Sequence, residues 1–457
     1  MISGVMAPSM RRRGRSAASA LAGLVALAAC IGPAHAGEAG VQRPIAARMG
    51  GGNLVTHLAG TASEGMYAAL RGVGARLGRM NSYGWRDLSH RPTPQDFDAA
   101  MRQAFERGVR PVVLLEYEGS YQFLKPPQPI GSYAEWYEAG RAYARRFRPG
   151  GEWARENGAG DFGAEIFTAI NEPDVQATIP RRAYHDALAG LADGVHSIDP
   201  ALAVVPGGFA TCNSHGDPTL RGYGPAIADL LQQGKLAGID LHTYYNERWF
   251  PLEKGRFFSA QGCFDRVKAA LGITREIGFY ATEFNVARDG GWAKAEVAGR
   301  LFLTAVWDHL GVVGKDGASA TVIAFPWNLV DHGNLEGPAY AMASGDNPWR
   351  PEVRAQVLKR VLDLAGAMRF VALDPREAGR FELEGGGRRL YVWQDLPGWT
   401  DTPGAAWRLD LPEGSASAEL WGWDGRRRRM AVKPGPLVLE DLPGHETYML
   451  LVETARP

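Results

Sequence analysis

The sequence has few cysteines, no net charge and, beyond its N-terminal region, no long apolar run. Only three of the 457 residues are cysteines, which excludes a disulfide-rich scaffold and a zinc site built from closely spaced Cys and His ligands. The formal net charge of +0 gives no support for nucleic acid or an anionic membrane surface as a partner. No later segment reaches about 18 consecutive apolar residues, so we expect no membrane span.

The N-terminus has the features of an export signal. The first 36 residues contain four arginines and no acidic residue, and an apolar run extends from Ala17 to Cys30. Ala34-His35-Ala36 matches a small-residue cleavage site, so we expect residues 1–36 to be removed and the protein to be periplasmic or extracellular. Leu27-Ala28-Ala29-Cys30 also matches a lipoprotein box, which leaves a lipid anchor at Cys30 in the outer membrane as the alternative.

Two cysteines, Cys212 and Cys263, follow the expected signal. In an oxidising compartment two thiols tend to pair, and these two follow neighbouring predicted strands. We therefore expect a disulfide between Cys212 and Cys263. The alternative is two unrelated buried thiols.

Short apolar, β-rich runs alternate with amphipathic helical stretches over residues 37–371. Eight such units predict a (β/α)₈ TIM barrel. The alternative is an open doubly wound sheet, but no Gly-rich phosphate-binding loop follows the first strand. The predicted strands are Asn53–Leu58, Ala75–Met80, Pro111–Tyr117, Ile166–Asn171, Ala203–Phe209, Gly238–His242, Gly278–Glu283 and Ala320–Trp327.

The pattern changes after about residue 371, where closely spaced strands replace the helices. Residues 372–457 therefore predict a small antiparallel, sandwich-like β-domain, joined to the barrel by a linker at residues 372–379. Asp424-Gly425 marks a hairpin turn, and we interpret the basic run Arg426–Arg429 as a solvated hairpin face. The predicted strands are Arg380–Leu383, Arg389–Trp393, Ala406–Leu411, Ala418–Trp423, Pro436–Leu439 and Glu446–Glu453.

Two glutamates stand where a barrel enzyme carries its chemistry, at the carboxyl ends of strands. Glu172 follows the fourth predicted strand within Asn171-Glu172-Pro173-Asp174, and Glu283 ends the seventh. Strands four and seven lie on opposite sides of a small barrel, so the two carboxylates can face each other about 5 Å apart. We predict Glu172 as the acid/base and Glu283 as the nucleophile of a retaining glycosidase.

Other polar and aromatic residues at the same strand ends are candidate substrate-binding groups. Arg79 can hold Glu283 ionised, His242 can orient Glu172 or contact sugar, and Tyr244 can donate to the nucleophile. The structural alternatives are a rim salt bridge for Arg79, a hydrogen-bonded barrel histidine and core aromatic residues. The full candidate set is Arg79, Asn171, His242, Tyr244, Trp327, Trp85, Glu116 and Tyr117.

At these residues the chain resembles the clan A glycoside hydrolases, which carry Asn-Glu on the fourth barrel strand and Glu on the seventh. It is most similar to glycoside hydrolase family 39, whose signature ends in Asn-Glu-Pro followed by Asp or Asn, and which carries a terminal β-domain. The family's Phe-Glu-x-Trp before the Asn is replaced here by Phe167-Thr168-Ala169-Ile170. The resemblance thus implies a divergent member acting on a bacterial exopolysaccharide or a plant glycan rather than a β-xylosidase or α-iduronidase.

The resulting prediction is an exported retaining hydrolase of β-glycosidic bonds, with a carbohydrate as its partner and without a metal or cofactor. Two alternatives remain open. A non-catalytic carbohydrate-binding barrel would keep the cleft but not both carboxylates. A transglycosylase would use the same two glutamates while excluding water.

Overall fold

The computed structural model describes most of the chain after residue 42. Trp85, Tyr117 and Cys212, three of the residues singled out in the sequence, lie outside the described residues. The described residues are 43–55, 61–81, 94–116, 130–176, 179–211, 216–245, 260–288, 294–329, 341–344, 350–374, 380–394, 406–444 and 446–454.

All eight predicted barrel strands are present, and every pair among them is parallel. The sixth is interrupted at Leu241 and His242, so it consists of two short strands, β6 and β7. The seventh runs past Glu283 to Val286 rather than ending at the glutamate. The strands are β1 Gly50–Val55, β2 Leu77–Asn81, β3 Arg110–Leu115, β4 Ile166–Asn171, β5 Ala203–Gly207, β6 Gly238–Asp240, β7 Thr243–Tyr245, β8 Gly278–Val286 and β9 Thr321–Pro326.

Hydrogen bonding divides these strands into two parallel sheets, β1 to β5 and β6 to β9. Single parallel bridges join the sheets at both edges, Met49 with Ala324 and Phe209 with Leu241. The two sheets are therefore joined at each edge by a single bridge, whereas neighbouring strands within a sheet share a continuous ladder of hydrogen bonds. The second gap lies beside His242, whose backbone N–H donates to Phe209 O at 2.8 Å.

Helices follow most of the barrel strands, as the alternating pattern predicts. Ser132 forms a capping box with Glu135 at the start of the helix Tyr133–Phe147, as a Ser-x-x-Glu sequence favours. The helices are α1 Thr61–Gly72, α2 Asp98–Glu106, α3 Tyr133–Phe147, α4 Glu152–Glu156, α5 Pro173–Gln176, α6 Arg181–His196, α7 Tyr223–Gln233, α8 Ala260–Ala270, α9 Ala295–Leu310 and α10 Val353–Ala365, with short 3₁₀ helices at Ile45–Ala47, Pro94–Phe97 and Leu220–Gly222.

The central strands are buried on both faces, as parallel strands covered by helices must be. All six residues of β4 and all nine of β8 are buried. Alternate residues of these strands form an apolar cluster that is separate from the main core. That cluster comprises Val112, Ile166, Val205, Tyr280, Ile323 and Phe325.

A second unit of antiparallel strands follows α10, confirming the predicted β-domain. Its main sheet has the order β12 (Arg369–Asp374), β13 (Arg380–Gly385), β14 (Arg388–Gln394), β19 (Thr447–Thr454), β16 (Ser415–Trp421) and β17 (Arg427–Ala431), and β15 (Trp407–Leu411) pairs with β18 (Gly435–Leu439) as a second small sheet. An apolar cluster that includes Trp393, Trp407 and Leu450 forms the core of this unit. A short antiparallel pair, β10 Ala343–Ser344 and β11 Arg350–Pro351, precedes α10.

Two details of the predicted β-domain were wrong. The chain enters the sheet at Arg369, so residues 372–374, expected in the linker, continue strand β12. The arginine run also contains a strand, β17, which pairs with β16 at the sheet edge and exposes Arg427, Arg428 and Arg429. The three arginine side chains are exposed, so the solvated hairpin face is confirmed, although the strand within it was missed.

The β-domain packs on the barrel through α9. The Trp307 ring of α9 stacks on Phe381 of β13 with centroids 6.3 Å apart. A Cβ at Gly311 would lie 2.4 Å from the Phe381 ring, so only glycine allows this close approach. Apolar residues of both units belong to one continuous cluster, which makes the β-domain a support for the barrel wall.

The described part of the chain contains no helix with the length and apolarity that a membrane crossing requires. Cys263 is buried in the first turns of α8. Because Cys212 lies outside the described residues, the disulfide between the two stays a prediction.

Candidate active site

The backbone around Glu172 is bent so that its side chain enters the barrel mouth. Ile170 and Glu172 have φ values of 64° and 43°, in the left-handed region that β-branched residues rarely adopt. The register of β4 against β5 shifts at the same place, between Ala169 and Asn171. The Glu172 N–H donates to Gly208 O at 3.1 Å, which anchors the bend to the neighbouring strand. Strain held by surrounding structure is typical of functional sites.

Glu283 projects from β8 and is hydrogen-bonded on both oxygens. Arg79 Nη1 donates to its Oε1 at 2.7 Å, and the Tyr244 hydroxyl donates to its Oε2 at 2.5 Å. The Arg79 side chain is fully buried, so water does not screen this ion pair. Both donors stabilise the ionised form of Glu283.

His242 joins the two glutamates. Its Nδ1 lies 2.8 Å from Glu172 Oε1 and 3.7 Å from Glu283 Oε2. One oxygen of each carboxylate and one His242 nitrogen all lie within 4.8 Å of one another. The two carboxylates expected to face each other therefore do so, with a histidine between them.

Their surroundings shift the pKa values of the two carboxyl groups in opposite directions. Burial raises the pKa of Glu172, and the hydrogen bond and charge of His242 offset only part of that rise. Burial also raises the pKa of Glu283, but the His242 and Arg79 charges and the Tyr244 hydrogen bond outweigh it and lower the pKa below its usual value. The opposed shifts make Glu172 the more readily protonated of the two carboxyl groups and favour the ionised form of Glu283.

The surroundings of His242 favour its protonated form. Burial lowers its pKa, but the negative charge of Glu283, the hydrogen bond to Glu172 and the charge of Asp240 raise it to about 9. A doubly protonated ring can donate from both nitrogens, one towards Glu172 and one away from it.

Two residues behind His242 complete the hydrogen-bond network. Thr282 Oγ1 lies 2.9 Å from His242 Nε2 and donates to Asp240 Oδ2 at 2.6 Å, while the Thr282 N–H donates to Asp240 Oδ1 at 2.9 Å. Asp240 is fully buried, and its own pKa is raised by burial against the charges of His242 and Arg79. Asp240 thus places a third carboxyl group behind the two glutamates.

Gly208 leaves the space that His242 occupies. It has a φ of 92°, and a Cβ built on it would lie 2.0 Å from His242 Nε2. Both the backbone conformation and the contact therefore require glycine at this position.

Those remaining candidate residues that the structure describes lie around the same barrel mouth. Arg79 Nη2 donates to Asn171 Oδ1, and the Asn171 N–H donates to Glu116 Oε1 at 3.2 Å. Trp327 lies edge-on to Tyr244, with ring centroids 6.0 Å apart, and its backbone oxygen accepts from Asn285 Nδ2. The candidate rim residues Trp85 and Tyr117 lie outside the described residues.

Three functional positions were missed in the sequence: Asp240, Thr282 and Gly208. An acid inside an apolar run, as in Gly238-Ile239-Asp240-Leu241, was the available signal for the first. Asp174, noted only as part of the motif, also has a structural role. Its carboxylate accepts from Thr211 Oγ1 at 2.6 Å and from backbone N–H groups, which fixes the loop after β5.

The donor atoms of Glu172, His242 and Glu283 are close enough for a metal ion. Arg79, however, already donates to Glu283 at 2.7 Å, and its charge would repel a divalent cation there. Hydrogen bonds and ion pairs therefore explain why the side chains of Glu172, His242 and Glu283 lie so close together.

Comparison with known proteins finds similarity in structure and not in sequence. No protein-family model matches the chain, and no curated protein matches it in sequence. A GH39 enzyme from Xanthomonas axonopodis pv. citri matches with a TM-score of 0.57 at 16% identity, covering 91% of this chain and 96% of that one. A glucosidase from Croceicoccus marinus matches at 0.60 and 12% identity, covering 92% and 98%, and a GH39 β-xylosidase from Caulobacter crescentus at 0.58 and 13%, covering 90% and 98%.

At such identities the likeness establishes the fold. The expected resemblance to clan A glycoside hydrolases is confirmed at that level, and the matches extend over the barrel and the β-domain together. What the site does rests on its own residues.

Proposed function

We propose that this protein is a retaining glycoside hydrolase that cleaves β-glycosidic bonds in an oligosaccharide or polysaccharide. The observation that carries the proposal is the pair Glu172 and Glu283, with carboxylate oxygens within 4.8 Å and pKa shifts of opposite direction. The glycosidase fold of the structural neighbours supports it.

The proposed reaction has two displacements. In the first, a Glu283 oxygen bonds to the anomeric carbon, the glycosidic C–O bond breaks, and the Glu172 proton moves to the departing oxygen. In the second, Glu172 takes a proton from water, the water oxygen bonds to the anomeric carbon, and the ester to Glu283 breaks. Both groups then return to their starting protonation states.

The separation of the carboxylates favours retention over inversion. Inverting enzymes hold their two carboxyl groups about 6.5–9.5 Å apart because a water must fit between nucleophile and sugar, whereas retaining enzymes hold them about 5–5.5 Å apart. One oxygen of Glu172 and one of Glu283 lie within 4.8 Å of each other, and this short separation supports the retaining mechanism.

The proposed substrate is a β-linked glycan of bacterial or plant origin. Two structural neighbours are described as a glucosidase and a β-xylosidase, so glucosides and xylosides are the first sugars to test. We further propose that the enzyme acts after export, in the periplasm or outside the cell, where such glycans occur.

The direct test is hydrolysis of a panel of aryl β-glycosides by the purified protein and three variants. We expect at least one glycoside to be hydrolysed, and Glu172→Gln and Glu283→Gln to lose more than about 1,000-fold in kcat. The matched control is Glu165→Gln. Glu165 precedes β4 and pairs with Arg43 and Arg110, so this change should leave kcat unchanged.

Two results would contradict the proposal. One is an absence of turnover across the panel by a folded protein, which would favour a non-catalytic binding barrel. The other is full activity of either active-site variant. Products that carry the sugar on an added acceptor in place of water would instead identify a transglycosylase using the same two carboxylates.

A further inference from the structure

Three polar side chains in a row connect the proposed acid/base to the barrel interior. Asp240 Oδ2 accepts from Thr282 Oγ1 at 2.6 Å, Thr282 Oγ1 lies 2.9 Å from His242 Nε2, and His242 Nδ1 lies 2.8 Å from Glu172 Oε1. Asp240, Thr282 and His242 are buried. A buried polar chain of this length needs every proton assigned, because an unmatched donor or acceptor there is costly.

The proton positions follow from the bonds of Thr282. When Asp240 is ionised, the single hydroxyl proton of Thr282 is directed at it, and the Thr282 oxygen then accepts from His242 Nε2. The Nε2 atom therefore carries a proton. The Nδ1 atom either carries a second proton and donates to Glu172 Oε1, or lacks one and accepts the Glu172 proton.

We propose that Asp240 and Thr282 act as positioning residues that keep His242 protonated on both ring nitrogens and thereby hold the acid proton of Glu172 on Oε2. A cationic His242 donates to Oε1 and leaves only Oε2 for the transferable proton. A neutral His242 would draw that proton to Oε1, away from the glycosidic oxygen. The inference rests on the proposed function, since it specifies how that reaction receives its proton.

The charges around His242 favour the cation. Arg79 opposes it, because Arg79 Nη1 lies 3.5 Å from Nε2 and donates to the same Thr282 oxygen at 3.1 Å. Carboxylates outweigh that repulsion, with Glu283 3.7 Å from Nδ1 and Asp240 4.0 Å from Nε2. Among the described residues, the ionisable groups in contact with the ring or with its glutamate partners are Arg79 from β2, Glu172 after β4, Asp240 from β6, Tyr244 from β7 and Glu283 from β8.

Charge balance gives the same assignment. Among the four groups whose charged atoms contact one another directly, Arg79 and His242 balance Glu283 and Asp240 when Asp240 is ionised and Glu172 is neutral. Without the negative charge of Asp240, the cluster would hold one excess positive charge in a buried site, and the simplest relief is loss of a proton from His242.

The first test observes His242 directly, by NMR of protein carrying ring-¹⁵N-labelled histidine. The His242 signals are assigned by their loss in His242→Gln. At pH 7 we expect both nitrogens to be protonated in the wild type and one of them to be deprotonated in Asp240→Asn and in Thr282→Val. A neutral His242 in the wild type, or an unchanged doubly protonated ring in both variants, would overturn the proposal.

The second test uses the leaving group. Phenyl β-glycosides need proton donation, whereas 2,4-dinitrophenyl β-glycosides of the same sugar leave as stable anions. Since general acid assistance is worth about 10²–10⁴-fold, we expect Thr282→Val to lose about 100-fold in kcat/KM on the phenyl substrate and less than about 10-fold on the dinitrophenyl substrate. Thr282→Ser should restore the wild-type ratio.

Thr168→Val is the matched control. Thr168 is a fully buried threonine of β4 whose hydroxyl has no partner within the described ranges, so the ratio of the two substrates should not change. Equal losses on both substrates in Thr282→Val would reduce Thr282 to a packing role. If the wild type hydrolyses neither glycoside, the proposed function fails. The NMR result still decides whether Asp240 and Thr282 keep His242 doubly protonated.

Discussion

Arg79 Nη1 lies 2.7 Å from Glu283 Oε1, and the arginine side chain has no exposed surface. The pair connects β2 with β8 across the strand ends, and the same guanidinium donates to Asn171, next to the proposed acid/base. One buried cation therefore contacts the proposed nucleophile on one side and the neighbour of the acid/base on the other.

Replacing this cation should affect both rate and pH dependence. We expect Arg79→Ala to reduce kcat/KM by roughly 100-fold or more, because the ionised Glu283 loses its closest positive charge. Arg79 contributes to holding the pKa of Glu283 down, so its loss should raise that pKa and move the acidic limb of the pH–rate profile to higher pH. The measurement is kcat/KM across the acidic and neutral pH range.

Arg110→Ala provides the control for Arg79. Arg110 begins β3 and pairs with Asp161 and Glu165 at partly exposed positions, so its removal should leave the acidic limb in place. An acidic limb that does not move in Arg79→Ala would assign that arginine a structural role alone.

Gly208 should tolerate no side chain. In Gly208→Ala the methyl group would meet His242 Nε2, and the residue would keep a φ of 92°. Left-handed backbone and overpacking together predict a loss of about 2–5 kcal/mol in the free energy of unfolding, with loss of most activity. Urea denaturation of the variant measures the free energy of unfolding, and turnover of an aryl glycoside measures the activity.

Gly158→Ala separates backbone strain from the clash. Gly158 also has a positive φ, 63°, but among the described residues nothing beyond its chain neighbours would lie within 4 Å of a Cβ at this position. We expect a cost of about 1–2 kcal/mol and unchanged turnover. Equal effects of the two substitutions would show that contact with His242 is unimportant.

His309 should make stability depend on pH. Its Nδ1 lies 2.7 Å from Ala305 O, and burial lowers its pKa to about 4 despite this backbone acceptor. In the unfolded chain the ordinary histidine pKa is about 6.5, so below that pH the unfolded state binds the extra proton. The stabilising contribution, about 3 kcal/mol, is present above pH 6.5 and lost as the pH falls towards 4.

Urea unfolding at pH 7, 5.5 and 4.5 tests this dependence in the wild type and in His309→Gln. The variant should be less stable at pH 7 but should lose less between pH 7 and 4.5. Parallel curves for the wild type and His309→Gln would contradict the assignment.

The strand order and the two glutamates were predictable because each signal is local in sequence. Glu172 and Glu283 directly follow or end apolar runs, and parallel strands bring such ends to one face. The strand β17 was missed because its arginines do not alternate with apolar residues. An edge strand does not need that alternation.

The hydrogen-bonded chain of Asp240, Thr282 and His242 was not predictable from the local sequence pattern. Asp240, Thr282 and His242 meet because β6 and β8 are paired in one particular register, with Asp240 opposite Tyr280. Gly208 depends on where the His242 ring lies, which is set by a different strand. Such contacts depend on three-dimensional neighbours, which the spacing of residues along one chain does not specify.

In the proposed reaction Glu283 forms a covalent bond to the sugar. The most direct measurement is mass spectrometry of the protein after reaction with a 2-deoxy-2-fluoro-β-glycosyl fluoride, a substrate whose second displacement is slow. We predict one fluorosugar per protein molecule, located in the proteolytic peptide that contains Glu283, and no label in Glu283→Gln. Turnover of the unmodified glycoside with no covalent label, or a label on any residue other than Glu283, would contradict it.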